Sequence, residues 1–301
     1  MLPGRKCIPT IHPAATLREG SQSNKKVIKY DPFFDRYLIA DDLFKAKWHS
    51  EFPELRLPQR NLIIRPEFEQ AVEYIRKVRR GGIVSYDIET TNNQIDCLAV
   101  APNKDEAMCI SFTEFTAERE LQLWREMMYL LTDESVIKVG QNLIFDILFT
   151  WQKQHIMTRG PIRDIMLAHH FLYPDRLKKL AVTTSMYTDE PYYKDEGKVW
   201  TERTLAKEGR EQRWRYNCKD AVVPFEIWDA IYSDLVADGL LDIYNHTIRC
   251  FPSLMFMMQR GLRLNTTAKD ILDCELTEQL TQMRKQFADI AGPDINPASN
   301  P

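Results

Sequence analysis

The chain has 301 residues and a formal net charge of −3, with 44% hydrophobic and 28% charged residues. This composition is that of an ordinary globular chain, long enough for one α/β domain with flanking segments. The charge excludes a protein that holds nucleic acid through a basic field over its whole surface, so any such contact must be local.

The cysteines are scattered without a Cys-x-x-Cys pair, so neither a zinc ribbon nor a disulfide framework is predicted. The amino terminus lacks the apolar core of a signal peptide, and no apolar run reaches the roughly 20 residues of a membrane span. The apolar run at 250–258 reads as a buried helix instead. We expect a reducing compartment, the cytoplasm of a bacterial or phage-infected cell, and no membrane partner.

Three regions follow one another along the chain. Residues 1–60 are irregular apart from a helix-like piece, LIADDLFKAKW. Residues 61–238 alternate strand and helix patterns, and residues 239–301 are mostly helical and end in the turn-like run NPASNP.

The central region begins with a helix from Pro66 to about Arg80, which Gly81 and Gly82 end. Three strand-like runs with short turns then predict an antiparallel meander: IVSYDIE, QIDCLAVAP and EAMCISFT. A helix over about 117–131, the strand VIKVG and helices over about 143–152, 163–173 and 210–237 follow. This order predicts an α/β fold in which helices cover both faces of a mixed sheet.

Two carboxylates, Asp87 and Glu89, lie two residues apart in a predicted strand, so both project from the same face. Buried carboxylates without a partner are costly, which indicates a cation opposite them. An exposed edge strand is the alternative, because a lone D-x-E occurs often in such strands.

A third carboxylate, Asp146, lies in the apolar helical run VGQNLIFDILF, with Asn142 one turn earlier. Asn142 also fits as the N-cap of this helix. Capping does not explain an aspartate between Phe145 and Ile147.

A fourth carboxylate, Asp220, follows Tyr216 by four residues, so the two share one face of a helix. A solvated face is the alternative, given the neighbouring Lys219. The apolar residues that follow favour a buried position, with the tyrosine as hydrogen-bonding partner.

In this order, D-I-E, N-x-x-x-F-D and Y-x-x-x-D on strand, helix and helix resemble the DEDDy branch of the DnaQ-like 3′–5′ exonucleases, as found in family A DNA polymerases. The resemblance covers roughly residues 61–238. It implies a ribonuclease H-like fold with a helical carboxyl-terminal segment, and hydrolysis of 3′-terminal nucleotides of single-stranded DNA ends.

The resemblance also implies roles for individual residues. Asp87 would bridge two divalent ions, Mg²⁺ or Mn²⁺, with Glu89 and Asp220 completing one ion site and Asp146 supporting the second. Tyr216 would orient the attacking water. The expected substrate contacts are Asn142, Thr90 and Phe145.

One departure from the family pattern concerns the apolar wedge that usually follows D-x-E and helps to unstack the terminal base. This chain reads TTNNQID there, with Ile95 as the apolar substitute. The departure concerns the unpairing step and leaves the hydrolytic step untouched.

Aromatic and basic side chains are interleaved over residues 185–200, which fits stacking on single-stranded bases. Packing of an aromatic-rich loop on its own domain is the alternative; the residues are Tyr187, Tyr192, Tyr193 and Trp200.

A run of basic residues beyond this segment could follow a nucleic-acid backbone, but interspersed glutamates favour a solvated helix face. Its members are Arg203, Lys207, Arg210, Arg213 and Arg215.

Asp164 is a fifth acidic candidate, which an N-cap role before the apolar helix explains. His169 and His170 are adjacent and point in different directions on a helix, so they are not predicted to bind a metal together.

The flanking regions carry weaker resemblances. MMQRGLRLN and a helix of about 267–291 resemble the entry to a family A polymerase thumb, and no polymerase palm carboxylates follow. We therefore expect a chain that does not copy DNA alone and whose partner is a polymerase palm and fingers, in the same or a separate chain.

The amino-terminal segment CIPTIHPAATLR resembles the closing segment of uracil-DNA glycosylases, with His12 at the matching position. A loosely ordered arm is the alternative.

Two other functions compete with a proofreading-type exonuclease. One is an exoribonuclease of the RNase D type, against which the thumb-like tail argues. The other is a catalytically silent binding or structural module, against which the four carboxylates and Tyr216 argue.

Overall fold

The computed structural model describes residues 6–8, 10, 32–193 and 207–292. Six strands form one sheet: β1 (Asn61–Ile63), β2 (Ile83–Thr91), β3 (Gln94–Ala101), β4 (Glu106–Ser111), β5 (Ile137–Gly140) and β6 (Ile162–Asp164). The helices before residue 194 are α1 (Pro32–Ser50), α2 (Phe68–Gly81), α3 (Ala117–Thr132), α4 (Leu143–Gln154), α5 (Ile165–Leu172) and α6 (Leu180–Tyr187). Those after residue 206 are α7 (Lys207–Ala237), α8 (Leu241–Arg249), α9 (Phe251–Arg260) and α10 (Thr266–Ala291).

The sheet is mixed, with strand order β1-β4-β3-β2-β5-β6. The neighbours β2–β3 and β3–β4 are antiparallel, which confirms the predicted meander. The pairs β1–β4, β2–β5 and β5–β6 are parallel. The predicted α/β class, with a mixed sheet and flanking helices, is therefore confirmed.

The two faces of the sheet bury side chains of different size. Successive residues of a strand point to opposite faces. On one face, Leu98, Val100, Met108 and Ile110 pack in a core with α2, α3 and α4. The opposite face of β3 and β4 packs on α7 and carries only small side chains: Cys97, Ala99, Ala101, Ala107 and Cys109. These small residues let α7 lie close to the centre of the sheet.

Some predicted elements needed correction. The segment predicted as a helix over 163–173 begins as the short strand β6 and becomes helical only at Ile165. The helix at 250–258 exists as α9, but Phe251 and Met255 are buried while Met257 and Met258 are exposed, because only one stripe of the helix faces the core. The short elements β1 and α6 lay outside the prediction.

The described residues divide into two compact units near Arg260. The first contains the sheet and its covering helices. The second contains α10, which the sequence placed at about 267–291 and in which no side chain is buried.

Asp164 connects the starts of two helices. Its carboxylate accepts hydrogen bonds from the backbone N–H groups of Asn142 (3.2 Å) and Leu143 (2.8 Å) at the start of α4. It also accepts from Met166 (2.9 Å) and Leu167 (3.3 Å) in α5. The predicted N-cap role is thus confirmed, and the same fully buried side chain serves a second helix.

We predict that Asp164→Asn lowers the free energy of unfolding by about 1–3 kcal/mol, because an amide NH₂ would face a buried N–H that now has an acceptor. Urea denaturation without divalent ions measures the loss. Asp175→Asn removes an exposed carboxylate and is the matched control. Equal stability of the two variants would contradict the role of Asp164.

Candidate active site

Asp87 and Glu89 lie on the central part of the sheet. Across the β2–β3 ladder, Asp87 pairs with Ala99 and Glu89 pairs with Cys97, and both partners face α7. The intervening Ile88 points to the opposite core. The two carboxylates therefore project into the space between the sheet and α7, and the edge-strand alternative is wrong.

Asp220 on α7 completes an acidic cluster with them. One carboxylate oxygen from each of Asp87, Glu89 and Asp220 lies within 4.8 Å of the other two. Within the described ranges, this is the one group of three or more acidic, histidine or cysteine side chains with that spacing. Oxygen-only ligands fit a hard divalent cation such as Mg²⁺ or Mn²⁺ better than zinc.

Asp146 approaches the same strand from α4. Its Oδ1 accepts a hydrogen bond of 3.0 Å from the backbone N–H of Ile88, the residue between Asp87 and Glu89. Burial raises the pKa of Asp146 to about 8, and the negative charges of Asp164 and Glu89 act in the same direction. Asp146 thus adjoins the three-carboxylate cluster without sharing its 4.8 Å spacing.

Two tyrosines contact Asp220. The Tyr216 hydroxyl hydrogen-bonds its carboxylate, as the i, i+4 spacing predicted. The Tyr193 hydroxyl donates to Oδ1 at 2.6 Å, and the two rings meet edge to face with centroids 5.8 Å apart. Burial, together with the charge of Asp220, raises the pKa of both phenols, so both hydroxyls stay protonated.

The segment that carries Tyr193 is anchored by an ion network. Glu190 pairs with the buried Arg60 at 2.9 Å and with Lys219 at 3.7 Å. The Lys219 ammonium also lies 4.9 Å from the centre of the Tyr193 ring. Tyr193 therefore packs on its own domain, while Tyr192 is 58% exposed.

The remaining aromatic candidates differ in position. Tyr187 hydrogen-bonds the Nδ1 atom of His169 at 2.9 Å, which is a contact within the core. Trp200 and Arg203 lie outside the described residues, as do the Lys207 side chain and His12.

Arg213 is a buried cation beside the cluster. Its guanidinium lies 2.7 Å from Asp96 and 3.4 Å from Glu89. It also donates to the Thr91 hydroxyl (2.8 Å) and the Thr90 carbonyl (3.0 Å). Its burial and these contacts contradict the interpretation of Arg213 as part of a solvated face, while the interpretation as a nucleic-acid contact stays a prediction.

The other two described side chains of the basic run do lie on the surface. Arg210 pairs with Glu114 at 2.8 Å, and Arg215 is exposed. A solvated helix face accounts for both.

The predicted substrate contacts surround the cluster. Asn142 lies at the N-cap of α4 in the left-handed region, with φ 57°, and its side chain makes no capping bond. Phe145 is 48% exposed and packs its ring against Phe149. Thr90 is half-buried and adjoins Glu89 at a β-bulge. Their roles toward a nucleotide stay predictions.

The polar run after Glu89 forms a tight hairpin. Asn92 and Asn93 both have positive φ, 51° and 61°, between the paired residues Thr91 and Gln94. This is the two-residue turn for which asparagine is favoured. Ile95 is buried in the core, so the suggestion that it replaces the apolar wedge is wrong.

Sequence reasoning did not predict that three side chains contact the cluster: Arg213, Tyr193 and Asn217. Asn217 donates from Nδ2 to Oδ2 of Asp87 at 2.7 Å. Arg213 and Asn217 precede Asp220 by seven and three residues, so the helical period could have placed both on its face. Tyr193 comes from a segment without periodicity and carried no such signal.

The family model for the exonuclease domain of family A DNA polymerases, described as "3'-5' exonuclease", matches residues 63–235, more than half of the chain. The chain belongs to this family. The resemblance inferred from D-I-E, N-x-x-x-F-D and Y-x-x-x-D is thereby confirmed, and the chain carries a 3′–5′ exonuclease domain of the DNA polymerase I-like type.

Individual relatives agree with this assignment. DNA polymerase I of Rhizobium leguminosarum is 28% identical over 172 residues, which are 56% of this chain and 17% of that protein. The POL domain of Pol1 from M. smegmatis, solved with DNA primer-template and dNTP, has a TM-score of 0.55 at 15% identity, over 80% of this chain and 39% of that one. Escherichia coli RNase D, an exoribonuclease, has a TM-score of 0.52 at 16% identity, over 68% of this chain and 52% of that one. The two structures establish the fold alone.

Among the described residues, no helix combines the length and apolar character needed to cross a membrane.

We predict that the metal-free protein loses stability as the pH rises toward 8. The folded state raises the pKa of Asp146 from 3.8 to about 8. It therefore binds a proton that the unfolded chain has released, and stability falls as that proton is lost. Urea unfolding in EDTA at a series of pH values should show this slope.

Asp146→Asn should flatten the slope, because an amide does not titrate and its oxygen can still accept from Ile88. The matched variant Asp175→Asn should keep the parental slope. An unchanged slope in Asp146→Asn would contradict the assignment.

Proposed function

We propose that this chain hydrolyses 3′-terminal nucleotides of DNA with two divalent ions, Mg²⁺ or Mn²⁺, as the proofreading-type exonuclease region of a family A DNA polymerase. The observation that carries the proposal is the group of three carboxylates with oxygens within 4.8 Å of one another. Like charges at that spacing repel, so a cation between them is the simplest physical reason for the arrangement.

The ligands proposed for the ions are Asp87, Glu89 and Asp220, with Asp146 supporting the second ion. Bound divalent ions would supply positive charge that stabilises the attacking and leaving oxygens of the displacement. Burial raises the pKa of Asp146 to about 8, so at neutral pH it would have to release a proton to act as an anionic ligand.

The other residues orient these groups or the substrate. Tyr216 has a protonated hydroxyl at neutral pH, so it orients the attacking water through hydrogen bonds and does not act as a base. Asn142 and the exposed Phe145 lie around the helix that carries Asp146 and would contact the terminal nucleotide. Thr90 would contact it from the end of β2.

DNA is proposed as the substrate because the sequence relative is a DNA polymerase I. The Pol1 structure of similar fold was solved with DNA primer-template. We further propose residues 61–238 as the exonuclease region, residues 239–301 as the start of a polymerase thumb and residues 1–60 as an arm with a uracil-DNA glycosylase-like remnant. The palm and fingers would come from the same or a separate chain.

We predict that Asp87→Ala reduces trimming of a 5′-labelled single-stranded DNA by at least about a hundredfold, since several kcal/mol of charge stabilisation would be lost. The parent protein should shorten the strand from its 3′ end with Mg²⁺ or Mn²⁺ and stop when EDTA is added. Asp175→Ala, at an exposed site, should trim at the parental rate. Equal rates for Asp87→Ala and the parent would exclude this cluster as the active site.

A second prediction concerns the preference for DNA over RNA. On DNA and RNA single strands of identical sequence, the parent should degrade DNA faster. Faster degradation of RNA would favour the RNase D-type alternative. Tight DNA binding with no metal-dependent trimming of either strand would favour a silent binding module.

A further inference from the structure

Asn217 is a fully buried amide next to the acidic cluster. It lies on α7, one residue after Tyr216 and three before Asp220. Its Nδ2 donates to Oδ2 of Asp87 at 2.7 Å and to the backbone carbonyl of the same residue at 3.1 Å. A single amide group therefore donates hydrogen bonds to both the main chain and the side chain of Asp87.

The other end of the amide is fixed by two thiols. The Sγ atoms of Cys109 on β4 and Cys97 on β3 lie 3.4 Å and 3.7 Å from Oδ1 of Asn217. Burial raises the pKa of both thiols, so both stay protonated and can act as donors. A rotated amide would turn its oxygen toward two oxygens of Asp87, which are acceptors only. The Asp87 oxygens thus select the orientation that presents Nδ2 to them, and the two thiols lie where Oδ1 can accept from them.

The amide that donates in this contact is uncharged, which matters for cation binding. A cationic partner such as Arg213 beside Glu89 attracts a carboxylate but also competes with a metal ion for it. An amide N–H holds the carboxylate in place and leaves its full negative charge. Asp87 is therefore restrained without being neutralised.

We propose that Asn217, whose Oδ1 is anchored by the thiols of Cys97 and Cys109, is the positioning residue that holds Asp87 ready to receive a divalent cation. This inference rests on the proposed function of the cluster and extends it to residues that do not touch the ion. It also assigns Cys97 and Cys109 a role as hydrogen-bond donors.

The test measures Mn²⁺ binding to the whole chain by electron paramagnetic resonance, which does not depend on nuclease activity. Asn217→Leu removes the donor at similar volume and should weaken Mn²⁺ binding by about 10–100-fold, the usual loss when a partner of a metal ligand is removed. Asn245→Leu makes the same change at an exposed position of α8 and should bind as the parent does. Parental affinity in Asn217→Leu would overturn the proposal.

A second pair of variants tests the thiols and does not alter Asn217. The double variant Cys97→Ser with Cys109→Ser keeps two donors and should stay close to the parental Mn²⁺ affinity. The double variant Cys97→Ala with Cys109→Ala removes both donors, leaves the buried Oδ1 of Asn217 without them and should weaken binding. Thermal unfolding confirms that each variant is folded, and the comparison of the alanine pair with the serine pair carries the test should Asn217→Leu not fold. Equal affinity of the alanine and serine pairs would overturn the role of the thiols.

These outcomes are separate from failure of the proposed function. A parent protein that binds no Mn²⁺ would remove the metal site itself. A parent that binds Mn²⁺ and trims DNA, with variants that bind equally well, would leave the nuclease in place and remove only the role of Asn217.

Discussion

Three carboxylates are held close together where one central strand meets one long helix, and the surrounding structure has to counter their repulsion. At an effective dielectric constant of about 20, two unit charges about 4 Å apart repel by roughly 4 kcal/mol. A single hydrogen bond contributes only about 1 kcal/mol net, so no one donor can balance the cluster. Amide, guanidinium and hydroxyl donors from Asn217, Arg213, Tyr193 and Tyr216 all converge on it. The repulsion that these donors leave uncompensated is the basis of the proposed cation site.

The convergence depends on how closely α7 approaches the sheet. The buried side chains on the α7-facing side of β3 and β4 are small, namely alanine, cysteine and Ser111, whereas the opposite side carries leucine, valine, methionine and isoleucine. Larger side chains beneath α7 would separate Asn217 from Asp87 and Asp220 from Glu89. The composition of the sheet face is therefore a requirement of the site as well as of the core.

Much of the site could be predicted because its spacing follows from local geometry. The period of two in a strand places Asp87 and Glu89 on one face, and the i, i+4 spacing of a helix places Tyr216 beside Asp220. What was missed depends on contacts between distant segments. Tyr193 reaches Asp220 from a segment that the Glu190–Arg60 ion pair anchors, and the sequence around Tyr193 has no period that shows this. The three-residue strands β1 and β6 are set by pairing with β4 and β5, since so few residues carry no recognisable pattern.

The hairpin after Glu89 shows how a polar run can support the site without joining the cluster. Asn92 and Asn93 satisfy the backbone of a tight turn, and this leaves no exposed apolar side chain at its tip. Arg213 binds Thr90, Thr91 and Asp96 around that turn and extends to Glu89 with the same guanidinium. The position of Glu89 is consequently coupled to the geometry of the hairpin. The polar run TTNNQ therefore supplies both the turn and two of the residues, Thr90 and Thr91, that hold the Arg213 guanidinium beside Glu89.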